Sequence, residues 1–245
     1  MAGNERLLSV HIPKTGGISL QKFWMDLYGP EHVYIYNGEG FVRSDLLPGA
    51  KRLNPKAERI KIFLYRNPIG QKLYPVLRKA LHRMERTVAD PDPPKDFSVI
   101  HGHFMPHQVE VSNPKLVTVL RNPLARTISH YRFLLSSAKK GDKTPEWLDS
   151  ASFADFIRRE EFINFQAKYL GLKGPSGLWQ IGITEELEAY CRIFDPKGSI
   201  SLPKLNIGVA RFPNIEQVLV EEFKEENKTD YKLYKEAQNR SLAST

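Results

Sequence analysis

The chain has 245 residues, a formal net charge of +8 at neutral pH, and apolar and charged fractions of 41% and 26%. This length suits a single domain with a sizeable core, and the sequence has no apolar run of about 18 residues that would predict a membrane span. The apolar segment at 7–12 is too short for a signal peptide. Cys191 is the only cysteine, which excludes an intrachain disulfide.

Strands and helices are predicted to alternate along the chain. Apolar, β-branched runs predict strands at 7–12, 33–36, 60–65, 97–101, 116–120 and 179–182. Helical periodicity predicts helices at 19–28, 71–88, 123–137, 152–170, 184–194, 214–224 and 229–240, while 37–58 is predicted to be a loop. This order predicts an α/β fold with three layers and a central, mostly parallel sheet. We expect one domain over 1–245, in which 37–95 is a variable insertion that shapes the substrate site.

The stretch HIPKTGGIS at 11–19 has the features of an anion-binding turn between a strand and a helix. Backbone N–H groups at a helix start lack partners, and Gly16 and Gly17 allow a close approach to oxygen atoms. Lys14 adds a full positive charge. It precedes the glycines, whereas the lysine of the loop G-x-x-x-x-G-K-[ST] follows them. The alternative is an ordinary tight turn between a strand and a helix.

A second anion-binding element is predicted where the strand LVTVL at 116–120 ends in Arg121. A guanidinium suits bidentate phosphate recognition. Asn122 and Pro123 are typical of a helix start, and Ser129 follows about two turns into that helix. A magnesium-dependent phosphotransferase needs an acid at such a strand end. Two phosphate sites without that acid predict a nucleotide that carries phosphate at both ends.

Together the two motifs resemble those of sulfotransferases that use 3′-phosphoadenosine 5′-phosphosulfate (PAPS). The similarity is greatest to the carbohydrate type related to heparan sulfate 2-O- and 6-O-sulfotransferases and their bacterial relatives. HIPKTGGIS is similar to the family's 5′-phosphosulfate loop, and LRNPLARTISHY to its 3′-phosphate motif. The resemblance continues in chain order through HGHF at 101–104, INFQAKYLG at 163–171, IGITEELEAY at 181–190 and NKTDYKLYKEA at 227–237. Ile18, where threonine is usual, and Asn122, where aspartate is common, depart from it.

The resemblance implies one sulfotransferase domain of P-loop-like fold. It would move the sulfuryl group of PAPS to an acceptor hydroxyl and release adenosine 3′,5′-bisphosphate, with no metal required. Lys14 would stabilise charge on the leaving phosphate. The residues implied to hold the 5′-phosphate are Thr15, Gly16, Gly17, Ile18 and Ser19, with Lys14 beside them. Arg121 and Ser129 would hold the 3′-phosphate.

A general base is required because a hydroxyl is a poor nucleophile until its proton is removed. His101 and His103 lie two residues apart and would share one face of an extended segment. In the resembling enzymes the second histidine of H-G-H matches the catalytic base, which indicates His103. His101 is then expected to support or orient the acceptor. Read alone, either histidine is equally compatible with a hydrogen-bonded structural role.

The positive charge is concentrated at 51–86, where eleven cations accompany two acids. Such a block favours an anionic partner, although a solvated helix face is the alternative. Within the enzyme hypothesis, Arg78, Lys79 and Arg83 would recruit the acceptor. That acceptor is expected to be a carbohydrate or another anionic or small alcohol, with an acidic glycan among the candidates and no nucleic acid.

Three other hypotheses stay open from the residues. His101, His103 and His107 would suit a three-histidine zinc site, which leaves both phosphate motifs unexplained. An ATP–magnesium P-loop kinase needs an acidic residue, for which Asp195 is the candidate. A non-catalytic anion-binding module would use the basic block alone. The absence of a predicted span favours a cytoplasmic protein, or a soluble form of a Golgi-type enzyme without its anchor.

Overall fold

The computed structural model describes residues 6–36, 38, 40–46, 92–142, 144–171, 178–202 and 215–243. In these ranges the β-strands are Leu7–Val10 (β1), Val33–Tyr36 (β2), Phe41–Arg43 (β3), Val99–Gly102 (β4), Lys115–Leu120 (β5) and Gln180–Ile183 (β6). The α-helices are Gly17–Tyr28 (α1), Pro123–Lys139 (α2), Phe153–Ile157 (α3), Phe165–Leu170 (α4), Leu187–Arg192 (α5), Gln217–Glu226 (α6) and Lys228–Ala243 (α7). Short 3-10 turns lie at Pro30–His32, Ser44–Leu46, Pro106–Gln108, Glu146–Asp149, Glu160–Phe162 and Thr184–Glu186.

The strands of the described ranges form one sheet in the order β3-β2-β4-β1-β5-β6. All neighbouring strands are parallel except β2 and β3, which are antiparallel. The chain passes from β4 to β5 across β1, so the strand order reverses around β1. In open α/β sheets, ligands bind beyond the carboxyl ends of the strands at such a point. The fold therefore predicts a ligand site at the loops that follow β1, β4 and β5.

Side-chain alternation in β1 explains why helices cover both faces of the sheet. Leu7 belongs to the core beneath α1 and α5, whereas Leu8 and Val10 belong to the core on the opposite face, beneath α4 and α7. Successive residues of a strand point to opposite faces, so a strand buried throughout needs apolar cover on both. The predicted three-layer α/β fold with a mostly parallel sheet is confirmed.

Two local predictions need correction. The range predicted as a loop at 37–58 contains β3, because Phe41 and Val42 are buried and pair with β2. The single helix predicted at 152–170 is divided into α3, a 3-10 turn and α4. It is interrupted because Asn164 has a φ of 50° and is bonded to the segment that starts α7.

Several predicted features lie outside the described residues: the strand at 60–65, the helix at 71–88 and most of the basic block. The predicted insertion at 37–95 starts within the sheet, since β3 belongs to it, and the domain division otherwise stays a prediction. In the part of the chain that the structure describes, no helix is long and apolar enough to cross a membrane.

Candidate functional site

The loop between β1 and α1 forms a cradle of backbone N–H groups. Lys14 and Gly16 have φ values of 74° and 90°, and Thr15 between them does not have a positive φ. Alternation of this kind turns successive N–H groups toward one point and creates an anion-binding concavity. Because α1 begins at Gly17, the partial positive charge of its N-terminus is added there.

The sequence-predicted loop residues lie at the cleft beyond this turn, with one exception. Lys14, Gly16, Gly17, Ile18 and Ser19 line the cleft. The hydroxyl of Thr15 is buried and donates to the carbonyl of Ile12 at 2.9 Å. That side chain stabilises the turn itself, and only the backbone of Thr15 remains for a ligand.

The second predicted anion site opens into the same cleft. Arg121 follows β5, Ser129 lies on α2, and both line the cleft together with Lys14. Arg121 Nη1 donates to the carbonyl of Lys14 at 3.2 Å. The Oδ1 atom of Asn122 accepts from the N–H of Ala125 at 3.1 Å, which confirms the predicted cap of α2. The two anion sites are thus adjacent although they are 107 residues apart in sequence.

Arg121 is held by buried polar groups that sequence reasoning did not single out. Gln166, fully buried, accepts from the N–H of Arg121 at 3.0 Å and donates to its carbonyl at 2.9 Å. Asp230 in turn accepts from the N–H groups of Gln166 and Ala167 at 3.0 and 2.8 Å. The stretches INFQAKYLG and NKTDYKLYKEA therefore hold the backbone of Arg121, and their residues are not among those that line the cleft.

Three histidines form a stack at the edge of the cleft. The rings of His11 and His103 are 4.1 Å apart with an interplanar angle of 25°, and those of His11 and His101 are 5.2 Å apart at 16°. His103 and His11 line the cleft. The Nδ1 atom of His103 lies 2.7 Å from the carbonyl of His11. Because a carbonyl only accepts, Nδ1 carries the proton and Nε2 keeps its lone pair.

His101 occupies the interior end of this stack. It is 1% exposed, and its Nδ1 shares a hydrogen bond of 2.9 Å with Ser9 Oγ, which accepts from Trp24 at 3.0 Å. Its burial leaves no surface for direct contact with an acceptor, so the expected support or orientation of the acceptor by His101 could only be indirect. The ring of His101 contacts the ring of His11, which in turn contacts the exposed ring of His103.

Burial keeps the stack uncharged at neutral pH. Desolvation lowers the pKa of His11 to about 2 and that of His101 to about 3, and the neighbouring imidazoles act in the same direction. The pKa of His103 is also lowered by desolvation, while its hydrogen bond to His11 acts in the opposite sense. Burial, and then the charge of Arg121, lowers the pKa of Lys14. The cleft therefore offers a neutral imidazole beside a partly desolvated ammonium.

The remaining walls carry residues that the sequence motifs did not indicate. The ring of Phe133 lies 4.4 Å from Lys14 Nζ in a cation–π contact, and Phe133 and Ile18 are 51% and 59% exposed. His130, one residue after Ser129, also lines the cleft. Helical spacing places 129 and 133 on one face of α2, which is the signal that could have found Phe133. The opposite wall follows β6 and contributes Thr184, Glu185, Glu186 and Glu188.

Two alternative site hypotheses find no support among the described residues. Within these ranges, no group of three or more His, Cys, Asp or Glu side chains is arranged to hold a metal. Asp195 binds Ser199 Oγ and the N–H of Ile200, both at 2.9 Å, so it stabilises its own turn. Arg78, Lys79 and Arg83 lie outside the described residues.

The chain matches no protein-family model and no curated protein. Among solved structures it is similar to the crystal structure of a sulfotransferase from Alicyclobacillus acidocaldarius, with 17% sequence identity and a TM-score of 0.44. The similarity covers 97% of this chain and 97% of that chain. A likeness of this degree transfers neither activity nor substrate, so the case for a function rests on the residues of the cleft.

Gly17→Ala should destabilise the protein through the histidine stack. A Cβ atom at Gly17 would lie 1.8 Å from Nε2 of His11, so the ring or the loop must move. We expect the free energy of unfolding to fall by about 1–3 kcal/mol, measured by urea denaturation. The control is the same substitution in a His11→Ala background, where that clash is gone. An equal loss in both backgrounds would contradict the assignment.

Proposed function

We propose that the protein is a PAPS-dependent O-sulfotransferase. One observation carries the proposal: two separate anion-binding elements, the Lys14 loop and the Arg121–Ser129 pair, line one cleft with a neutral histidine. A single phosphate would need only one of these elements. A nucleotide with a 5′-phosphosulfate and a 3′-phosphate uses both, and the histidine then lies where an acceptor hydroxyl could approach.

The residues present fit this cofactor. The cleft has a volume of about 1110 Å³, against roughly 300–1,000 Å³ for typical small-molecule sites, which leaves room for a nucleotide and an acceptor. The start of α1 would hold the 5′-phosphate through backbone N–H groups, and Ser19 would add a hydroxyl. The guanidinium of Arg121 and the hydroxyl of Ser129 would hold the 3′-phosphate.

The chemistry supplied by bound PAPS is an activated sulfuryl group. With PAPS bound, Nε2 of His103 would take the proton of the acceptor hydroxyl that receives the sulfuryl group. Lys14 would stabilise negative charge on the 5′-phosphate group, which leaves as part of adenosine 3′,5′-bisphosphate. The carbonyl of His11 would stabilise the imidazolium that results on His103, because it accepts the hydrogen bond that Nδ1–H donates.

The acceptor is proposed to be a carbohydrate or another alcohol with an apolar face. Phe133 and Ile18 stand exposed at the cleft, and an aromatic ring can pack on the C–H face of a sugar. Recruitment of an acidic glycan by Arg78, Lys79 and Arg83 is also part of this proposal. A small or carbohydrate alcohol, and not a nucleic acid, is proposed as the reacting partner.

Removal of either anion-binding group should weaken binding of adenosine 3′,5′-bisphosphate. Lys14→Ala and Arg121→Ala each delete a charge-assisted contact worth about 1.5–3 kcal/mol, or roughly 10- to 100-fold in Kd. Isothermal titration calorimetry measures the change. Lys139→Ala, which removes an exposed cation from the last turn of α2, is the control and should bind normally. Tighter binding of ATP–magnesium than of the bisphosphate would favour the kinase hypothesis.

Removal of the proposed base should affect turnover and spare nucleotide binding. His103→Ala deletes the proton acceptor, so we expect kcat to fall by about 10²–10⁴-fold with PAPS and a responsive alcohol acceptor. The Kd of adenosine 3′,5′-bisphosphate should stay near its original value. His107→Ala removes an exposed histidine from the adjacent 3-10 turn and should keep normal kcat. Wild-type turnover by His103→Ala would show that another group is the base.

Truncation of the exposed ring at the cleft should weaken acceptor binding. Phe133→Ala is expected to raise the acceptor KM roughly two- to tenfold, in line with about 0.5–1.5 kcal/mol for an aromatic contact. Phe133→Tyr keeps the ring and should stay near the original KM. Val218→Ala trims an exposed apolar side chain outside the cleft and serves as the control. An unchanged KM in Phe133→Ala would place the acceptor elsewhere.

A further inference from the structure

The backbone of His11 connects the phosphate loop to the segment that carries His103. Its N–H donates to the carbonyl of Gly102 at 2.8 Å, and its carbonyl accepts from Nδ1 of His103 at 2.7 Å. The N–H and the carbonyl of His11 therefore bind two neighbouring residues, Gly102 at the end of β4 and His103 just after it. Lys14 follows three residues later, so His11 joins the segment that carries His103 to the loop that carries Lys14.

The ring of His11 has little freedom to move. The ring of His11 stacks with the rings of both His103 and His101, and the backbone of Gly17 lies against it. The missing Cβ of Gly17 is what admits the ring, since that atom would lie within 1.8–2.0 Å of three ring atoms. A flat side chain is thus held between the first residue of α1 and the ring at the cleft.

We propose that His11 is a positioning residue for His103. The backbone carbonyl of His11 selects the Nδ1–H tautomer of His103, and the ring of His11 fixes the direction in which Nε2 of His103 points. This inference rests on the proposed function only in calling His103 the base; the positioning itself is a property of the chain. The carbonyl has the role that a carboxylate has in a Ser-His-Asp triad, where it orients the imidazole and stabilises its protonated form.

The surroundings of His103 agree with this role. The ionisable groups described near its ring are His11 and His101, with Lys14 beside His11. Burial lowers the pKa of His11 to about 2, so the ring that faces His103 stays neutral across the working range. A neutral aromatic face can accept a cation without repulsion. The imidazolium formed on His103 during turnover therefore has a carbonyl and a neutral ring as its nearest partners.

The test is an NMR titration of histidine-labelled protein without cofactor. In the wild type, His103 should be mainly the Nδ1–H tautomer. His11→Ala keeps the backbone carbonyl, so His103 should remain mainly the Nδ1–H tautomer, but loss of the stacked ring lets solvent reach it and its pKa should rise toward the ordinary histidine value. His11→Phe keeps a flat ring and should keep the wild-type tautomer and pKa. His107→Ala is the control and should leave the signals of His103 unchanged.

A variant that retains bulk protects the test against misfolding. If His11→Ala does not fold, His11→Asn keeps part of the bulk, leaves room for solvent beside His103 and should shift its pKa in the same direction. An unchanged pKa of His103 in the folded alanine or asparagine variant would overturn the proposal, as would loss of the wild-type pKa in His11→Phe or a His103 that is not mainly the Nδ1–H tautomer in the wild type.

Kinetics add a readout that a purely structural role would not move. The acidic limb of the kcat/KM profile should shift to higher pH in His11→Ala but not in His11→Phe, and kcat of His11→Ala should fall roughly tenfold. A uniform loss of activity at every pH would contradict positioning. Failure of all variants and of the wild type to turn over PAPS would reject the proposed function alone, because the NMR result is independent of it.

Discussion

The candidate site depends on a contact between two loops that are remote in sequence. Arg121 donates to the carbonyl of Lys14 at 3.2 Å, and the hydroxyl of Thr184 lies 2.9 Å from the carbonyls of both Thr15 and Leu120. These bonds join the ends of β1, β5 and β6. Because parallel strands deliver their carboxyl ends to one edge, the two anion-binding elements become halves of a single cleft.

Buried polar groups hold the backbone at this contact. Two cations that face each other repel, and the loss of solvent around Lys14 adds to that cost. Gln166 holds the N–H and the carbonyl of Arg121 in one position despite this repulsion, and Asp230 holds Gln166. If Gln166 or Asp230 were replaced, the buried group left without a partner would cost about 1–3 kcal/mol, so the position of Arg121 is sensitive to substitution at residues that do not line the cleft. In this respect α4 and α7 belong to the functional architecture.

The sequence predicted the local parts of this site well. The periodicity at 116–120 and the Asn122–Pro123 pair identified a strand followed by a capped helix, and both are present. The order of strands and helices predicted the layered sheet. Prediction was wrong for 41–43, where a short strand follows a glycine-rich stretch, because its pairing with β2 is a long-range property. It was also wrong for the continuity of 152–170, because Asn164 forms hydrogen bonds with Asn227 and Thr229, more than 60 residues away.

By itself the sequence determined which groups are available: a lysine before two glycines, an arginine at a strand end and a histidine pair at alternate positions. Such features follow from local chemistry and chain order, so they can be read without coordinates. The tertiary structure decided which of them meet. It buried His101, exposed His103, brought His11 between them and placed Phe133 over Lys14. These relations depend on strand register and on the absence of a side chain at Gly17, and no periodicity in the sequence encodes them.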